Sequence, residues 1–157
     1  MRKRLVTSSS GNLPALAENW LDLEHCVTVE VTSEDKDFPV ESSLSMQPGR
    51  GWRAAEPGMQ TIRLIFDAPQ PIRRIAVVFE ENEMPRTQEF VLRSSSDPGE
   101  PFREIVRQQW TFSLPTAVQE NEEYHVELPK VVVLELTIVP EISGGQARAS
   151  LKSMRLS

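Results

Sequence analysis

The sequence predicts an all-β fold, an antiparallel sandwich of eight strands preceded by one short helix, and three observations carry that expectation. Apolar runs of strand length recur along the chain with period-two alternation. Proline, glycine and Asp/Asn/Ser clusters separate them, supplying turn chemistry. Only residues 13–23 show the i, i+3, i+4 spacing of a helical face. Eight strands with little helix is the jelly-roll count. The chain has 157 residues, which leaves room for one domain with a substantial core and none for a second.

Residues 1–12 combine Arg2, Lys3 and Arg4 with a Ser/Gly/Asn run and are expected to form a disordered tail ahead of a single domain at 13–157. Between 13 and 23 the apolar positions Leu13, Leu16, Ala17, Trp20 and Leu21 share one helical face, with Asn12 as N-cap and Pro14 in the first turn. Trp20 reads as a packing anchor of that helix. Val27, Val29 and Val31 alternate with polar residues as the first strand, and residues 33–59 read as a long irregular connection. Ile62, Leu64 and Phe66 mark the second strand, which Ala68-Pro69-Gln70-Pro71 stops. Ile72–Phe79 is nearly unbroken and β-branched, so the third strand should be covered on both faces. Gln88–Ser94 is the fourth. Phe102–Phe112 is the fifth, with Val106, Gln108, Trp110 and Phe112 on one face. After a polar connection over 113–121, Tyr124–Leu128 and Val132–Ile138 are the sixth and seventh, turned at Pro129-Lys130. Ala149–Leu156 closes the set, with Leu151, Met154 and Leu156 pointing inward.

Charge and motif content narrow the function classes. A net charge of −6 opposes phosphate backbones, so nucleic acid is not an expected partner. No run approaches the roughly 20 apolar residues of a bilayer span, so no membrane partner is expected either. The single cysteine, Cys26, cannot form an internal disulfide, and the first residues lack the apolar core of a signal peptide, which together read as cytoplasmic. Catalytic chemistry finds no constellation: His25 and His125 have no HxH or HExxH partner, the serine runs lack nucleophile-elbow glycines, and Gly144-Gly145 is too sparse to cradle a nucleotide. The carboxylates at Glu80, Glu81 and Glu83, and at Glu120, Glu122 and Glu123, read as exposed acidic turns. The expectation is a protein that is not an enzyme and carries no cofactor.

Five segments in fixed order add a resemblance. Gly51-Trp52-Arg53-Ala54, a strand ending in Phe66-Asp67, the run PIRRIAVVFE at 71–80, Arg86–Leu92, and Ser95-Ser96-Asp97-Pro98-Gly99 together resemble the discoidin family. That family comprises the factor V/VIII type C domains and their relatives among family 32 carbohydrate-binding modules, and the resemblance runs from about Val27 to Leu156. It implies a galactose-binding-like jelly roll whose ligand site lies on loops at one end of the barrel. Carried onto this chain, the site would gather Asp35, Asp37, Arg50, Arg53, Glu81, Asn82 and Arg86, while Trp52 and Phe38 would pack the loops rather than stack on a sugar.

The same resemblance raises calcium, which many of these domains hold between the loop before the Trp motif and the last strand. Calcium needs several hard oxygens. This chain has Ser45, Met46 and Gln47 where carboxylates are usual, and Ser153 in the last strand, so no metal is expected. Two functions follow from the resemblance. The first is non-catalytic, weak carbohydrate binding, and the alternative is an intracellular protein-protein interaction module on the same fold.

Overall fold

Val27, Val29 and Val31 face inward on β1 (Val27–Val31), an edge strand that runs antiparallel to the start of β3 (Gln60–Glu80). The computed structural model describes residues 19–157. Within them the chain continues through a helical turn α1 (Glu41–Leu44), β2 (Trp52–Pro57), β3, β4 (Arg86–Ser95), β5 (Arg103–Phe112), β6 (Gln119–Val139), β7 (Arg148–Leu151) and β8 (Ser153–Leu156). One sheet has the order β1-β3-β6-β4-β5, with β8 also paired to β3, and β2 pairs with β7 in a second. Every strand pair is antiparallel.

The two long strands make the sandwich. β3 and β6 form a ribbon whose first part pairs Gln60–Ile65 with Val133–Ile138 and whose second pairs Arg74–Glu80 with Gln119–His125, with register shifts between the two. Across the shifts the buried positions of β3 change from even to odd, from Ile62, Leu64 and Phe66 to Ile75, Val77 and Phe79. A slip of one residue turns a strand over, and bulges are the device that permits it. Phe79 and Phe90 then meet with ring centroids 4.9 Å apart, and Phe90 lies 6.5 Å from Tyr124, so the β3/β6 end packs on β4 across the core.

The strand count is eight among the described residues, yet its composition differs from the sequence expectation. The two strands read at 61–67 and 72–79 are one, as are those at 124–128 and 132–138, because the ladder continues through the proline-bearing bends with its register displaced. The connection over 33–59 contains α1 and β2. The last strand divides at Lys152 into β7 and β8, which pair with β2 and β3 respectively. Ile72–Phe79 is buried on one face only, since Ala76 and Val78 remain partly exposed.

The expected tail at 1–12 and most of the expected helix at 13–23 lie outside the described residues. Within them, residues 19–22 are irregular and Leu23–Cys26 is a turn, so no helix covers 19–23. The Leu21 amide instead donates to the Leu156 carbonyl at 2.8 Å, a bond to the end of β8 that helical pairing would forbid. Trp20 packs under the Arg74 guanidinium, 3.9 Å from its ring centroid, as an anchor should.

Candidate functional site

Trp52 builds the floor on which the site rests. Its indole is 1% exposed and donates from Nε1 to the Ser33 carbonyl at 3.0 Å, tying the start of β2 to the loop that follows β1. Gly51 ahead of it has φ of 81°, and a Cβ there would stand 2.7 Å from the Leu151 carbonyl oxygen, so only glycine lets this loop approach the β7–β8 junction. The loop over 34–38 is pinned just as firmly. Asp35 donates its amide to the Arg53 carbonyl and accepts the Asp37 amide on Oδ1, Arg53 donates its amide to the Phe38 carbonyl, and Glu34 accepts the Val40 amide.

These segments, the end of β3 and the β7–β8 junction enclose a pocket of about 190 Å³ at one end of the sandwich. Its polar wall is Arg50, Arg53, Glu80, Asn82, Glu83, Ser150 and Lys152, and its aromatic members are Phe38 and Trp52. Arg53 donates from Nη1 to Glu83 at 2.8 Å, and Lys152 stands 3.8 Å from Glu80. The guanidiniums of Arg50 and Arg53 lie 4.7 and 5.2 Å from the centroid of the Phe38 ring.

Of the seven site residues read from the sequence, Arg50, Arg53 and Asn82 line this pocket. Asp35 is a loop brace with Arg148 3.7 Å from its Oδ2, and Asp37 is exposed on the same loop without lining the cavity. Glu81 and Arg86 are placed differently. The Arg86 side chain is fully buried under Phe112, donating from Nε to Glu81 and from Nη1 to Gln88 and to the Pro140 carbonyl. Glu81 also accepts the amides of Glu83 and Met84, so the pair holds the β3–β4 loop from inside and presents nothing to a ligand. Burial pushes the Glu81 carboxyl up, but the Arg86 bond, the two amides and the Arg86 charge outweigh it and leave it below the ordinary value.

Sequence reasoning missed Lys152, Glu80, Glu83, Ser150 and Leu151 as pocket members. Lys152 carried a signal, being the charged interruption of the last apolar strand. The expected acidic turns are also corrected: Glu81 is 6% exposed and Glu120 1%, the latter because β6 begins at Gln119 and turns alternate residues inward. Gln88 donates to Glu120 at 3.0 Å. Burial first, then a bond shared with Glu122, pushes the Glu120 carboxyl up to about 8, with Gln88 and Arg86 opposing. Elsewhere His25 is exposed against Asp22, His125 is exposed near Glu123, and burial raises the Cys26 thiol.

The region where the resemblance would put calcium lies between the loop before Trp52 and the last strand. Among the described residues no group of three or more His, Cys, Asp or Glu side chains is gathered as metal ligands. There the Arg155 guanidinium reaches the Met46 carbonyl at 3.5 Å, putting a positive charge beside a backbone oxygen of that loop, where a hard cation would be opposed.

No family profile matches the chain, and no curated protein matches it by sequence. Solved structures do. A family 32 carbohydrate-binding module of Clostridium perfringens NanJ in complex with galactose superposes with a TM-score of 0.65 at 11% identity, over 87% of this chain and 96% of that one. A second Clostridium perfringens module of that kind, in complex with GalNAc-β-1,3-galactose, gives 0.64 at 16%, over 88% and 99%. The module of AlyQ, in complex with 4,5-unsaturated mannuronic acid, gives 0.61 at 15%, over 84% and 95%. At these identities the likeness is one of architecture, and the chain has the galactose-binding-like jelly-roll fold.

Proposed function

We propose that this protein is a non-catalytic carbohydrate-binding module whose ligand sits in the pocket between the loop after β1, the end of β3 and the β7–β8 junction. The observation that carries the reading is the pocket itself. It is a small polar cleft with Arg50, Arg53, Asn82 and Lys152 on its wall, braced underneath by Trp52, at the loop end of a jelly roll shared with modules solved in complex with sugars. Guanidinium and amide groups are suited to pairs of hydroxyls and ring oxygens because they offer several donors in fixed directions. Loops anchored on strands position such groups without a large ordering cost on binding.

A glycan array followed by calorimetry of the best ligand tests the reading. Binding that Arg53→Ala removes supports it. A broad array that stays blank at millimolar sugar, while a protein is retained by the same face, would transfer the site to the protein-interaction alternative.

A further inference from the structure

The pocket is better furnished for charge than for stacking. A neutral sugar commonly lays its apolar face on an open aromatic ring. Here Trp52 is 1% exposed beneath the floor, and Phe38 already carries two guanidiniums, those of Arg50 and Arg53. What the pocket offers instead is cation. Arg50, Arg53 and Lys152 are three positive groups against the two carboxylates Glu80 and Glu83, a local surplus of one in a chain whose net charge is −6. Among the described residues no carboxylate lies within ion-pair distance of Arg50, which is exposed at the rim.

The two partnered cations are held loosely. Glu83, which takes Arg53 Nη1, is 67% exposed and sits on a loop, and Lys152 is separated from Glu80 by 3.8 Å. Exposed pairs of this kind contribute little, so an incoming anion can replace them at small cost. A guanidinium resting on an aromatic ring is restrained in orientation and presents its edge, the planar fork that matches a carboxylate with two parallel hydrogen bonds. The volume of about 190 Å³ is below the range of pockets for drug-sized ligands and suits one sugar unit of a longer chain.

We infer that the pocket selects an acidic glycan, a sugar unit whose carboxylate lies between Arg50 and Arg53 with Lys152 at its flank. The inference rests on the carbohydrate-binding reading above and names its ligand class. Glu83 is then a competitor for Arg53 rather than a contact for the sugar. Removing its charge should strengthen binding, a sign opposite to that expected of a residue that holds ligand.

The test uses calorimetry with an oligogalacturonate, the same oligosaccharide after reduction of its carboxyl groups to alcohols, and a sulfated galactan oligosaccharide. The acidic form should bind at least about tenfold more tightly than the reduced form, and the advantage should shrink as salt rises. Arg50→Ala, an exposed position, should remove most of that advantage with an unchanged melting temperature, and Glu83→Gln should increase affinity for the acidic form. Equal binding of the acidic and reduced forms, indifferent to Arg50→Ala, would overturn the acidic preference and leave the carbohydrate reading in place. Preference for the sulfated chain would overturn the carboxylate assignment alone. If no glycan, neutral or acidic, is bound while the protein is folded, the carbohydrate reading fails and takes this inference with it.

Discussion

Glu120 shows how a single position can govern the pH response of the whole fold. Its carboxyl is 1% exposed, bonded by Gln88 and close to Glu122, and protonates at about 8. In the unfolded chain a glutamate titrates near 4.3. The folded state therefore binds the proton more tightly, and the contribution of Glu120 to stability is complete below about pH 4.3, declines as pH rises towards 8, and is constant beyond. The decline amounts to several kcal/mol, about 1.4 kcal/mol for each pH unit between the two values. Glu81 works in the opposite direction, since its lowered carboxyl contributes stability above the unfolded value that is lost in acid. Comparing Glu120→Gln with the parent separates the two, because glutamine keeps an acceptor for Gln88 but cannot ionise. Melting curves from pH 5 to 9 should show the variant gaining on the parent up to about pH 8. Parallel curves would mean that Glu120 is solvated in the folded state.

At the scale of the element, the β3–β4 loop divides its two arginines between support and contact. Arg86 is sealed in the core and bonds the carboxylate that caps this loop, so Arg86→Ala leaves Glu81 without its guanidinium and should cost about 3–5 kcal/mol. Arg53 reaches the same loop from outside through exposed Glu83, and Arg53→Ala should change stability by less than about 1 kcal/mol while removing ligand binding. Chemical denaturation of both variants distinguishes them, and similar midpoints would show that Arg86 is not structural. The difference between these arginines is invisible in sequence, because Arg86 owes its burial to Phe112, Gln88 and Pro140, contributed by three separate strands or their ends. Glu120 escaped notice for the same reason. A carboxylate in a polar run carries no local mark of burial when its partner, Gln88, lies on another strand. By contrast the strand pattern was legible wherever one face is buried or half-buried, as in β4, the two halves of β3 and, more weakly, β1, and Trp52 was legible as a packing residue. The merging of strands was not legible, because Ile72–Phe79 is apolar at both even and odd positions and the even-to-odd change between Phe66 and Ile75 appears only in which of them are buried.

For the whole molecule, the ways in which this jelly roll is tied together bear on both its metal dependence and its affinity. The Arg155 guanidinium sits at the junction of the 45–50 loop and β8, and Leu21 is stitched to Leu156 by a backbone bond. The melting temperature should accordingly be the same with EDTA or with calcium, and a rise of several degrees in calcium would show that backbone oxygens bind it after all. The rigid frame supplies a site but little desolvation, since the pocket is shallow and both of its aromatic rings are engaged by the protein. A single sugar unit held by polar contacts in water should bind with a dissociation constant on the order of 0.1–1 mM, roughly 4–5.5 kcal/mol. Weak sites of this kind gain strength by linkage, because a second module on the same polymer binds at the effective concentration set by the linker. Two copies joined by a flexible linker should therefore hold a polysaccharide on the order of 100-fold more tightly than one copy, with no gain for a monosaccharide. Affinity electrophoresis in polysaccharide gels measures the first and calorimetry the second. A tandem protein that gains equally on both would place the added affinity in a new contact between modules rather than in the pocket.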